Sequence, residues 1–258
     1  LAVIKYYESR NQRVLVLCPK KLNENWMTWR SNYRTNVLAE DRFRYEVLFH
    51  SDLSRRKGFS NGVDLALVNW GNYDLVVIDE SHNFRNGYST DADFENRYER
   101  LMKSVIREGV RTKVLMLSAT PVNNRFSDLR NQLQLACEGD SSVMDERLGL
   151  KGGIDELFRR AQQAYNVWAK LPAAERTANA LQAALPFEFF DLLDAVTIAR
   201  SRRHVERYYD TSEIGKFPKR LAPVSRRPRL TDAPGAPDYR EIFESIRELD
   251  LAVYTPSS

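Results

Sequence analysis

The stretch Leu75-Val76-Val77-Ile78-Asp79-Glu80-Ser81-His82 decides how this chain is read. Four successive apolar residues, three of them β-branched, predict a strand covered on both faces, as in a parallel sheet with helices on either side. The run stops at two adjacent acids. In open α/β sheets ligands bind at the carboxyl ends of the strands, where one acid can hold magnesium and the next can orient or deprotonate a water. A charged strand-to-loop boundary accounts for the same residues without any function.

A second run, Val114-Leu115-Met116-Leu117, ends in Ser118-Ala119-Thr120-Pro121 and brings small hydroxyl residues to what should be the same sheet edge. Hydroxyls there can bond to a neighbouring acid or histidine, or simply cap a helix. Both runs are expected to be central strands. A third strand end, Val14-Leu15-Val16-Leu17-Cys18-Pro19-Lys20-Lys21, leads into a helix carrying Trp26 and Trp29. Lysines and backbone amides at a helix start suit a phosphate. The tryptophans are read as core.

Outward from these, strands are predicted over 13–18, 44–49, 63–68, 74–78 and 113–117, with helices over 1–9, 22–33, 96–108 and 126–137. Past Glu138 no strand-like run occurs, and helical spacing dominates over 154–170, 173–185 and 187–209. Glycines 149, 152 and 153 and prolines 172 and 186 punctuate it. Residues 216–237 carry five prolines and read as an extended linker, after which a helical pattern returns over 238–252. The class is therefore α/β, with a parallel sheet, helices on both faces and a helical insertion subdomain.

Composition sets the outer limits. The chain has 258 residues, 43% hydrophobic and 29% charged, which excludes collagen-like, mucin-like and wholly disordered chains. No apolar run approaches the roughly 20 residues of a membrane helix, so no membrane partner is expected. Cys18 and Cys137 are the only cysteines, too few for a disulfide framework or a cysteine metal cluster, and a reducing cytoplasmic setting is the default. The net charge of +4 is small, but residues 200–229 hold ten Lys/Arg against three acids. That segment suits a phosphate backbone or an ordinary solvated helix and linker.

Taken in order, these motifs resemble the first motor lobe of superfamily-two helicase-like ATPases, most closely the Swi/Snf-like DNA translocases. Cys18-Pro19-Lys20-Lys21 with Trp26 resembles motif Ia, Asp79-Glu80-Ser81-His82 the Walker B box of DEAD/DEAH type, and Ser118-Ala119-Thr120-Pro121 motif III. Asn83-Phe84-Arg85-Asn86, Val122-Asn123-Asn124 and the Arg-rich 199–205 resemble flanking segments of the family. The resemblance implies a RecA-like lobe over 1–137, a helical protrusion over 138–215, and over 216–258 a linker and the start of the crossing to a second motor lobe.

It also implies roles. Asp79 would act on the Mg²⁺ that bridges the ATP phosphates, and Glu80 would polarise the attacking water. His82, Ser118 and Thr120 would couple the nucleotide to the nucleic acid. Lys20, Lys21, Asn124, Arg202 and Arg203 would meet double-stranded DNA. His50 and His204 are read as structural or exposed.

The sequence departs from the family's pattern at one decisive place. It contains no Gly-x-x-x-x-Gly-Lys-Ser/Thr loop, and Gly215-Lys216 is followed by Phe217. Without that backbone cradle and its lysine the triphosphate lacks a seat. Leu1 to Ser9 resembles the later part of the helix that follows such a loop, so the loop is expected upstream and this chain alone is expected to be inactive. Val68-Asn69-Trp70 does not match the Thr-rich form of motif Ib. A strand-separating helicase or restriction-type motor subunit is the alternative enzyme. A degenerate, nonenzymatic module that docks DNA or protein is the alternative from another class.

Overall fold

The structure is a computed structural model and describes residues 1–31, 36–89, 95–119, 125–140, 142–150, 152–210 and six positions beyond, 218, 237, 241, 242, 244 and 245. Four parallel strands, β1 (Val14–Cys18), β2 (Glu46–Phe49), β5 (Leu75–Asp79) and β6 (Lys113–Leu117), form a sheet in the order β2-β1-β5-β6. A two-residue hairpin pairs β3 (Phe59–Ser60) with β4 (Val63–Asp64). The α/β class expected from the apolar runs is the class observed.

Side chains alternate across a strand, so consecutive apolar residues fill two separate cores. Leu15, Leu17, Leu48, Val76 and Ile78 pack on one face under Tyr98, Leu101, Met102, Val105 and Ile106. Val14, Val16, Cys18, Val47, Leu75 and Val77 pack on the other with Ile4, Phe43 and Tyr45. The first face is covered by α3 (Arg97–Arg100) and its continuation as a wider π-turn over Leu101–Arg107. The second is covered by α1 (Ala2–Glu8) and α2 (Asn23–Thr28).

This arrangement places a topological switch in the sheet. The chain leaves β1 over one face to reach β2, and leaves β5 over the opposite face to reach β6, so the β1 and β5 loops diverge. A crevice at that point is the usual ligand position in such sheets.

Two expected strands differ. Among the described residues β6 lies at the sheet edge rather than in its centre. Its only partner among the described residues is β5, and its residues are half-buried or exposed, with Leu117 at 37%. The strand expected over 63–68 shrinks to Val63–Asp64, because Asn61 (φ 48°) and Gly62 (φ 78°) make a hairpin turn that requires positive φ at both positions. Leu65 then closes the hairpin by bonding back to Gly58.

Beyond β6, α4 (Phe126–Ala136), α6 (Gly153–Ala169) and α8 (Phe187–Val196) enclose a third core of Leu129, Leu133, Ile154, Leu157, Phe158, Ala161, Phe189 and Leu192. Ile154, Leu157, Phe158 and Ala161 follow the 3-4-7 spacing of one helix face. Two smaller helices, α5 (Ser142–Leu148) and α7 (Ala178–Ala184), complete this part. The helix expected over 173–185 starts only at Ala178, where the Thr177 hydroxyl accepts from the Ala180 N–H at 3.2 Å.

The helix expected over 187–209 is two. Thr197 turns to extended backbone (φ −123°, ψ 147°) and ends α8. A new helix, α9 (Arg202–Tyr208), begins at Ser201, whose hydroxyl accepts from the His204 N–H at 3.1 Å. By contacts the chain divides into a unit of Leu1–Ile198 and a second of Ala199–Ser258, to which α9 belongs. Among the described residues no helix is long and apolar enough to cross a membrane.

Candidate active site at the carboxyl edge of the sheet

Strand β5 delivers Asp79 to the sheet edge, and the chain reverses there. Glu80 sits in the left-handed region (φ 52°, ψ 49°) and opens a 3-10 turn over Ser81–Phe84. A residue with a Cβ in this conformation costs about 1–2 kcal/mol, and such strain collects where the chain must aim a side chain. The carboxylate of Asp79 is engaged on both oxygens. Its Oδ1 accepts the Glu80 N–H at 2.9 Å, and its Oδ2 accepts the indole N–H of Trp26 at 2.8 Å.

From Glu80 a polar chain crosses to β6. Glu80 Oε2 lies 3.2 Å from His82 Nδ1, which lies 3.4 Å from the Ser118 hydroxyl oxygen. A carboxylate only accepts, so a hydrogen bond between the two is donated by His82 Nδ1. Glu80 and His82 are each about a third exposed, at 32% and 27%, and both can meet a solute at the edge. The sheet thus brings Asp79, Glu80, His82 and Ser118 together at one edge.

The 81–85 turn is clamped from behind by α4. The buried Ser81 hydroxyl donates to Gln132 Oε1 at 2.8 Å, Gln132 donates on to the Asp128 carbonyl, and Asn131 donates to the Arg85 carbonyl at 2.5 Å. Gln132 interrupts the apolar Leu129–Leu133 stripe, and that interruption was its readable signal.

Lys20 and Lys21 form a 3-10 turn directly after β1 and are exposed at the same edge. Thr120 and Asn124 fall outside the described residues. Arg202 and Arg203 lie on α9 in the second unit, and only their backbone is described. Trp70, in the poor motif Ib, is buried in the first core.

The donor set fits a hard divalent cation only in part, and in an informative way. Among the described residues no group of three or more His, Cys, Asp or Glu converges on a metal position. An all-protein cage is therefore not what these residues form. Mg²⁺ is usually held by one or two carboxylates together with substrate phosphates and waters, and Asp79 beside Glu80 supplies that share. Cys18, at the end of β1, is no nucleophile, since burial foremost, with Asp79 and Asp52 nearby, pushes its thiol up to about 12.

With this geometry in place, comparison with known proteins adds one likeness. The chain is similar to an uncharacterized ATP-dependent helicase, YqhH, of Bacillus subtilis. The two are 23% identical over 248 residues, covering 91% of this chain. The chain spans 37% of the relative's length. No family model matches the chain.

His50, read as structural or exposed, is the former and more. It is buried at 4% exposure, with Nε2 3.3 Å from the Leu17 carbonyl and its ring edge-on to Phe84 at 4.9 Å. Burial foremost, reinforced by Arg97, lowers its pKa from 6.5 to about 4, against the opposing pull of the Leu17 and Asp79 backbone. The folded protein thus keeps His50 neutral between those values, while the unfolded chain takes up a proton. Its contribution is complete above pH 6.5 and lost as pH falls toward 4, about 3 kcal/mol in all. Urea midpoints of the native protein should fall across that window, and those of His50→Gln should fall markedly less.

Proposed function

We propose that this chain is part of the first motor lobe of an ATP-dependent, double-stranded DNA translocase of the helicase-like kind. The observation that carries the reading is the linked set Asp79, Glu80, His82 and Ser118, drawn from two adjacent parallel strands at one carboxyl edge. A relative named as an ATP-dependent helicase supports the coarser part, a helicase-like ATPase that uses ATP. In this reading Asp79 would hold the Mg²⁺ of a bound nucleotide, and the ion would neutralise charge on the phosphates. Glu80 orients the attacking water, and its contact with His82 holds it ready for that task. Ser118, through His82, senses the state of the site, and Thr120 belongs to the same coupling segment.

Lys20 and Lys21, exposed beside the switch point, meet the phosphate backbone, with Asn124, Arg202 and Arg203 as further contacts. Such contacts are electrostatic, so DNA affinity should fall steeply with salt. Residues 1–137 serve as the partial ATPase lobe, 138–215 as a helical protrusion and 216–258 as the path to a second motor lobe. The sequence holds no phosphate-loop motif of its own, and the reading requires the full-length protein to supply one. The test is ATP turnover by the full-length protein with and without duplex DNA. Duplex-stimulated turnover supports the motor, and no turnover on any nucleic acid leaves a binding module in its place.

A further inference from the structure

Trp26 was expected to be a core tryptophan, and its ring does pack there, edge-on to Tyr45 with centroids 5.9 Å apart. Its polar end is used differently. The indole N–H donates to Asp79 Oδ2 at 2.8 Å, from α2 to the end of β5, and the Trp26 carbonyl is held by the Tyr45 hydroxyl at 2.6 Å. The residue is therefore fixed at its ring and its backbone, with one donor aimed at the acid. Asp79 needs no such donor for burial, since it is only half-buried and already accepts the Glu80 N–H.

The element that carries Trp26 also carries the lysines. The Lys20–Leu22 turn runs without a break into α2 (Asn23–Thr28), closed by the Leu22 N–H on the Pro19 carbonyl at 2.8 Å. At the next turn Asn23 Oδ1 accepts from Asn61 of the hairpin at 2.8 Å. The lysines and the indole therefore sit on one continuous stretch of backbone. We infer that Trp26 is a positioning residue that orients the Asp79 carboxylate toward a divalent cation and links that orientation to anion capture at Lys20 and Lys21.

This inference rests on the reading of Asp79 given above. It makes the metal site and the phosphate-backbone site thermodynamically coupled, each strengthening the other by the same factor. It also supplies a second route between them, separate from the Ser118–His82 contact.

The test uses Mn²⁺ as the probe, titrated by electron paramagnetic resonance into the full-length protein with a nonhydrolysable ATP analogue, with and without a short DNA duplex. Trp26→Phe keeps the aromatic ring and removes the donor. Replacement of Trp26 by benzothienylalanine, with sulfur in place of N–H, does the same at nearly unchanged shape and serves if Trp26→Phe folds poorly. Loss of a group that orients a metal ligand typically weakens metal binding 10–100-fold, and about 10-fold is expected here. Duplex should tighten Mn²⁺ binding to the native protein and leave the variant unchanged, while metal-free nucleotide affinity stays equal in both.

A folded variant with native Mn²⁺ affinity and native duplex response overturns the inference and leaves the role of Asp79 standing. So does a loss of metal-free nucleotide binding equal to the loss of metal, which marks a general packing defect. Mn²⁺ binding by the native protein that is absent, or unaffected by Asp79→Asn, overturns the inference and the reading beneath it together.

Discussion

Glu80→Gln in the full-length protein should lower ATP turnover about 10³-fold, within the range for loss of a group that handles the reacting water's proton. ATP binding should stay within about twofold of native, because the amide fills the same volume and a group acting on the water contributes to the transition state rather than to ground-state binding. The geometry explains why the effect should be chemical. Position 80 keeps its left-handed backbone (φ 52°) whichever side chain it carries, so the strain and the 3-10 turn that follows are common to both proteins. What changes is the acceptor facing His82 Nδ1 at 3.2 Å. Turnover within tenfold of native would remove Glu80 from the reaction.

Asp52→Ala should destabilise the fold by about 3 kcal/mol, the loss expected when two buried donors lose their common acceptor. Asp52 is fully buried, at 0% exposure, yet it accepts the Phe49 N–H at 2.8 Å and the Ser60 hydroxyl at 2.6 Å, and pairs with Arg55 at 3.1 Å. The alanine would leave a buried amide and a buried hydroxyl without their acceptor, each costing about 1–3 kcal/mol. The Arg55 side chain is 44% exposed and recovers much of its hydration, so the total falls below the simple sum. Asp52→Asn should cost less, since the amide oxygen still accepts. Urea unfolding of the two variants measures both, and a loss below about 1 kcal/mol for the alanine would contradict the network.

The sheet was legible because apolar succession has one economical explanation. Val76 and Val77 point to opposite faces, and a chain that places both inward needs a core on each side. The position of β6 was not legible. Its run Val114–Leu117 reads like that of β5, and only the pairing distinguishes a strand with two neighbours from one with a single neighbour among the described residues. At Asn61-Gly62 the opposite happened. The turn dipeptide stood in the sequence and favoured a hairpin, but the apolar residues after it suggested a longer strand.

At the site, acids and hydroxyls at strand ends were found by type and position. The groups that hold them were not, for a physical reason. Trp26 and Gln132 make apolar and helical contacts as any core residue does, and each commits one polar atom to a partner 53 or 51 residues away. The break that Gln132 makes in its apolar stripe marks a buried polar group, but no local pattern names the partner of a bond of that span. His50 shares this character, a buried ring whose partner Leu17 stands 33 residues earlier.

The central claim is that hydrolysis at Asp79 and Glu80 moves the protein along intact duplex DNA. The most direct measurement is displacement of a triplex-forming third strand by the full-length protein, with the duplex labelled to report any strand separation. The account predicts ATP-dependent displacement that leaves the duplex paired and disappears in Glu80→Gln. Separation of the duplex strands would make the protein a strand-separating helicase, and displacement that persists without ATP or in Glu80→Gln would contradict the motor altogether.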